Sequence, residues 1–107
     1  MYDRESIQVL LAKNDKAVYR ALVVLFERQT ADEQASENTQ LLNGMGFNGR
    51  DAGFGTSLAK QVLRWQDGLT NYAHPLTMPQ MNAARKMLRK YAGQLAKVAN
   101  EKAAVAV

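Results

Sequence analysis

The sequence predicts an all-α single domain, a bundle of about four helices with a glycine-rich connector between the second and the third. Three observations predict it. Apolar residues recur at helical spacing almost throughout, and no stretch sustains the two-residue alternation of a half-buried strand. The chain has 107 residues, 47% hydrophobic and 22% charged, which suits one domain burying one core. Five of the seven glycines, Gly44, Gly46, Gly49, Gly53 and Gly55, interrupt the helical pattern at a single place.

The helices are expected near residues 3–12, 15–42, 51–66 and 78–100, all within one domain spanning 1–107. In the first, Ile7, Leu10 and Leu11 are expected to face inward. Asn14 or Asp15 is placed to cap the second by accepting a bond from a free backbone amide. Val18, Leu22, Leu25 and Phe26 then share one face of that helix, and Val23 and Val24 widen it. The helix either continues to about Leu42 or restarts at Thr30, where Thr30 and Glu33 have capping-box spacing.

In the connector, Asn48-Gly49 is a turn signal, and Met45, Phe47 and Phe54 are expected to tuck back onto the core. Asp51 is the expected cap of the third helix, whose buried face reads Phe54, Leu58, Val62 and Trp65. The last helix has the plainest start: Thr77 stands three residues before Gln80, with Pro79 in the first turn. Met81, Ala84, Leu88, Tyr91, Leu95 and Val98 alternate steps of three and four, a seam for packing. Gly93 costs that helix about 1 kcal/mol relative to alanine, which a close helix–helix crossing explains. The tail from Ala103 to Val107 is expected to fray.

Several chemistries are excluded or left without support. The chain has no cysteine, so disulfides, zinc ribbons and thiol catalysis are ruled out. The longest apolar run, Ala21 to Phe26, is too short to cross a bilayer, and no signal-peptide pattern opens the chain; a cytoplasmic location without membrane contact is expected. His74 stands alone, without a nucleophile, an orienting acid or further ligands at metal-binding spacing. Asp32, Glu33 and Glu37 have helix-surface spacing. Gly44 to Gly49 matches G-x-G-x-x-G but follows a helix rather than a strand, so it reads as a connector and not a dinucleotide loop. No catalytic residue, cofactor or metal is assigned, and an enzyme is not expected.

Charge is the feature with functional reach. The net charge is +4. It is polarised: Glu27, Asp32, Glu33 and Glu37 face a lone Arg28 within residues 27–37, whereas residues 76–107 carry a net +5. Arg85, Lys86, Arg89, Lys90 and Lys97 are the candidate nucleic-acid contacts. Lys86, Lys90 and Lys97 form one row with Gly93 between them, and Arg85 and Arg89 lie on the other side of the apolar seam. Cations along a helix flank neutralise phosphates and release counterions, making affinity salt-dependent. Trp65, Tyr72 and Tyr91 offer stacking faces, though none is interleaved with the cations in a known module pattern. The plainer reading of the same helix is a solvated amphipathic one, its lysines snorkelling beside the core.

The wording of the chain adds a resemblance. The segments Ala21–Gln34 (ALVVLFERQTADEQ), Gly46–Ala52 (GFNGRDA), Ser57–Gln61 (SLAKQ) and the block from Leu76 through Tyr91 to Ala96 resemble a set of small helical proteins and domains encoded by bacteriophages and plasmids. The resemblance spans Lys16 to Asn100, and the chain departs from the pattern in a longer connector from Trp65 to Pro75. It implies a mobile-element origin, a bacterial host cell, and a place near replication, recombination or host-defence genes. It carries no assigned activity. Two function classes follow as expectations. One is a non-enzymatic accessory protein contacting DNA or RNA through its last helix. The other is a protein-interaction module that binds a host enzyme or defence complex, motivated by the polar arm Thr30 to Gln40 and by exposed loop aromatics. A homo-oligomer sharing the Met81-to-Val98 seam is a further expectation.

Overall fold

Asp3 begins the first helix. Its carboxylate accepts the Ser6 amide at 2.7 Å while the Ser6 hydroxyl accepts the Asp3 amide at 2.9 Å, a reciprocal cap. The helix, α1, runs Arg4–Lys13. The computed structural model describes residues 2–36 and 46–105, and only the backbone course of 30–36 and 102–105. The expectations on residues 37–42, Gly44 and Met45 lie outside the described residues.

α1 buries Ile7 and Leu11, while Leu10 is 36% exposed, against expectation. A short helix on the rim of a bundle presents one narrow stripe, and Ile7 and Leu11, four apart, fill it. Asn14 then caps α2 (Asp15–Ser36), its side-chain oxygen accepting the Ala17 amide at 3.2 Å. Val18, Leu22 and Leu25 are buried as expected, joined by Tyr19 and Ala21, with Val23, Val24 and Phe26 half-buried against them. The helix passes through Thr30 to Ser36 without a restart.

α3 (Ala52–Gln66) corrects two expectations. Asp51 stands at its cap position but makes no side-chain capping bond. Asn48 does that work, its side-chain oxygen accepting the Asp51 amide at 2.9 Å. The buried face is Gly55, Leu58, Ala59 and Val62, with Phe54 43% exposed and Trp65 half-buried. The cause is Phe47. Its buried ring lies on bare Gly55, where a Cβ would come within 2.5 Å of Cε1. That contact turns the position before glycine outward.

α3 ends in a two-bond glycine cap. Gly68 adopts φ 75° and its amide donates to the Trp65 carbonyl, while Leu69 donates to Arg64 at 3.0 Å. The connector that follows is tied down by the Trp65 indole, which donates to the Tyr72 carbonyl at 2.9 Å. Gln61 adds a bond to the Pro75 carbonyl at 2.8 Å and reaches Gln80.

The last rod starts with the expected Thr77–Gln80 capping box and Pro79 in its first turn. It consists of α4 (Met78–Leu88), a 3-10 turn over Arg89–Tyr91 and α5 (Ala92–Val105). Residues 103–105, expected to fray, are helical. Every seam residue from Met81 to Val98 is buried within the one chain. The seam therefore completes this chain's own core, and sharing it with a second copy would mean opening that core. α2 packs chiefly on α3, and α1 chiefly on α5. The described residues form an all-α bundle in which α4, the 3-10 turn and α5 follow one another without a break as the last rod.

Candidate nucleic-acid interface

The five candidate cations do not share one fate. The Arg85 guanidinium donates to the Leu11 carbonyl at 2.8 Å and pairs with Asp15, so it joins α4 to the α1–α2 corner. Lys90 pairs with Asp51 at 2.7 Å, and the Asp51 side chain is only 12% exposed. Both cations are thus paired with carboxylates of the same chain, the Arg85 side chain 25% exposed and the Lys90 side chain 53% exposed. Lys86, Arg89 and Lys97 are exposed, and among the described residues none has a carboxylate within ion-pair distance.

The expected division into two rows also changes. Arg85, Lys86 and Arg89 line one groove of about 570 Å³ between α1 and α4, opposite Glu5, Gln8, Val9 and Lys13. Lys90 instead turns toward the start of α3, where a carboxylate largely removed from water requires a counter-charge. Lys13 is thus a groove cation that spacing along the last helix could not reveal. Glu5 is the opposing charge on the same groove.

Around Asp51 the polar groups form a closed set. The Tyr91 hydroxyl donates to Asp51 Oδ2 at 2.6 Å and accepts the Asn48 amide at 3.0 Å. Burial alone pushes the Asp51 carboxyl up, but hydrogen bonds from Lys90 and Tyr91 outweigh it and hold the pKa below the ordinary value. Burial and the bond to Asp51 push the Tyr91 phenol up to about 12. The Tyr91 ring packs edge-on against Phe47 at 5.8 Å.

One turn further along, the Gln94 side chain accepts the Gly46 amide at 2.7 Å and Arg28 Nε at 3.1 Å. Gly46 itself has φ 80°, and a Cβ there would lie 2.5 Å from Gln29 Cβ. The stretch Gly46–Asp51 is therefore a clasp on the last rod, in keeping with its reading as a connector.

The aromatic expectations divide as well. Tyr91 is buried, and Trp65 packs beside Tyr19 at 6.2 Å between centroids. Of the three candidate stacking rings, Tyr72 alone stands well exposed, at 75%. His74 is exposed in the same connector. Among the described residues, no three of His, Cys, Asp and Glu converge as a metal site, and no helix is long and apolar enough to cross a membrane. Comparison with known proteins finds no matching family model, no matching curated protein and no matching solved structure.

Proposed function

We propose that this chain is a non-enzymatic accessory protein of a phage or other mobile element that grips nucleic acid by its phosphates in the cytoplasm of a bacterial host. Lys86, Arg89 and Lys97 make the contact, and Lys13 joins them from across the groove. The observation that carries this reading is the split among the cations: Lys86, Arg89 and Lys97 stay exposed, while Arg85 and Lys90 are engaged by Asp15 and Asp51. Unpaired cations on one rod are the groups that release counterions when phosphate binds. The phage and plasmid wording of the sequence supplies the biological setting.

Fluorescence anisotropy with labelled DNA and RNA at two salt concentrations tests it. Three to four phosphate contacts give a log–log salt slope of roughly −2 to −3.5. Binding that ignores salt, or survives removal of Lys86, Arg89 and Lys97 together, defeats the proposal.

A second reading has its own observation. Leu69, Tyr72 and Met78 are 72–75% exposed beside and within the α3–α4 connector. Apolar side chains left this open suit a protein partner, such as a host enzyme or defence complex. Pull-down from host lysate, compared between the chain and a Leu69→Ser/Tyr72→Ser/Met78→Ser variant, separates the two readings.

A further inference from the structure

Glycine weakens a helix relative to alanine, so the bare backbone at Gly93 calls for a use. The space above it is occupied by a cation from another element. A Cβ at Gly93 would lie 3.1 Å from Arg4 Nη2, 3.5 Å from Nε and 3.7 Å from Cζ. Arg4 is the first residue of α1, and α1 packs along α5. The neighbouring backbone is anchored there: Asn100 accepts the Tyr2 amide at 2.8 Å and donates to the Tyr2 carbonyl at 2.8 Å.

Positions 86, 89, 93 and 97 follow one another by three, four and four residues, the steps that bring side chains near one another on a helix, with the 3-10 turn over Arg89–Tyr91 inside the series. At about 1.5 Å of rise per residue these steps are roughly 4.5 and 6 Å. Glycine holds the one position of that series without a charge of its own, and the Arg4 guanidinium lies over it. Arg4 is exposed, and among the described residues it has no ion-pair partner. Its sequence neighbour Asp3 is engaged in the Ser6 cap.

We infer that Arg4 supplies the missing cation of this row, so that Lys86, Arg89, Arg4 and Lys97 meet successive phosphates along one strand of nucleic acid. The inference rests on the nucleic-acid reading above and adds to it a residue from the opposite end of the chain. It also gives Gly93 its role, which is to admit a guanidinium rather than a second helix.

The test is anisotropy with a labelled single-stranded oligothymidylate across a salt series. Arg4→Gln is expected to weaken binding and to reduce the salt slope by about 0.7, the value of one single-strand contact. Arg4→Lys is expected to keep the wild-type slope. Gly93→Lys placed in the Arg4→Gln background is expected to restore it, because the charge then stands on the row itself. Circular-dichroism melts of each variant separate lost charge from lost fold.

If Arg4→Gln keeps the wild-type slope while Lys86→Gln, Arg89→Gln and Lys97→Gln each lower it, the inference fails and the broader reading stands. An Arg4→Lys variant that behaves like Arg4→Gln also overturns it, by showing a packing role alone. A wild-type chain with no salt-dependent binding removes both.

Discussion

The Tyr91 hydroxyl donates to Asp51 across 2.6 Å and accepts the Asn48 amide on its other side. One phenol thus fastens the turn before α3 to the last rod, and the Phe47 ring packs on the same side chain. Tyr91→Phe keeps the ring and deletes both bonds, leaving an amide and a carboxylate short of partners. A loss of roughly 1–3 kcal/mol is expected, read from urea unfolding midpoints. A midpoint equal to wild type would show that water replaces the phenol without cost.

The same cluster sets an acid limit. The folded Asp51 pKa lies below the unfolded value of 3.8, so its contribution is complete above that value. It is lost as pH falls through the lower folded value. Asp51→Asn is therefore expected to be less stable than wild type at neutral pH, with the gap closing well below pH 3.8. Denaturant midpoints along an acid series check the closing gap.

At the alkaline end the sign reverses. Tyr91 is raised from 10.0 to about 12, so the neutral phenol's contribution is full below 10 and lost as pH climbs toward 12. Phenolate absorbance of the folded chain is expected to show a tyrosine titrating near 12. That step should be missing from Tyr91→Phe.

Three glycines should respond differently to alanine. At Gly55 the new methyl meets the buried Phe47 ring at 2.5 Å, and overpacking of that kind costs roughly 1–3 kcal/mol. At Gly49 nothing lies within 4 Å, so Gly49→Ala should be within about 0.5 kcal/mol of wild type. At Gly93 the nearest group is the tip of a flexible, exposed arginine at 3.1 Å. There the helix-propensity gain should prevail, stabilising by about 0.5–1 kcal/mol. Thermal melts of the three variants check the order.

Glu5 shares the α1–α4 groove with Lys13, Lys86 and Arg89, and under the proposed function its charge would oppose an approaching phosphate. Glu5→Gln is expected to tighten nucleic-acid binding several-fold at low salt, with the difference shrinking as salt screens the groove. Unchanged affinity at low salt would place the bound strand elsewhere on the rod.

Much of the fold was legible in the amino-acid order. The Thr77–Gln80 box and the seam from Met81 to Val98 are where spacing put them, and the cap of α2 is Asn14, one of the two residues that spacing offered. Each depends on residues within a turn or two of one another, and helical periodicity reports such relations directly. Two of the misplaced residues answer to groups distant in the sequence or in another element. Phe54 turned outward because Phe47 occupies the face of Gly55, and Asp51 left its capping role to Asn48 because Tyr91 and Lys90 claim its carboxylate.

By itself, then, the sequence determined an all-α chain, the approximate starts of α1 to α4, the apolar seam of the last of them and the surplus of cations near the C-terminus. Tertiary structure alone decided which cations remain available. Arg85 finds its carboxylate 70 residues away, Tyr91 finds Asp51 40 residues away, and Arg4 reaches Gly93 from the far end of the chain. Periodicity records which side of a helix a residue takes. Pairing depends on which helices come to lie together, and that is set only when the core closes.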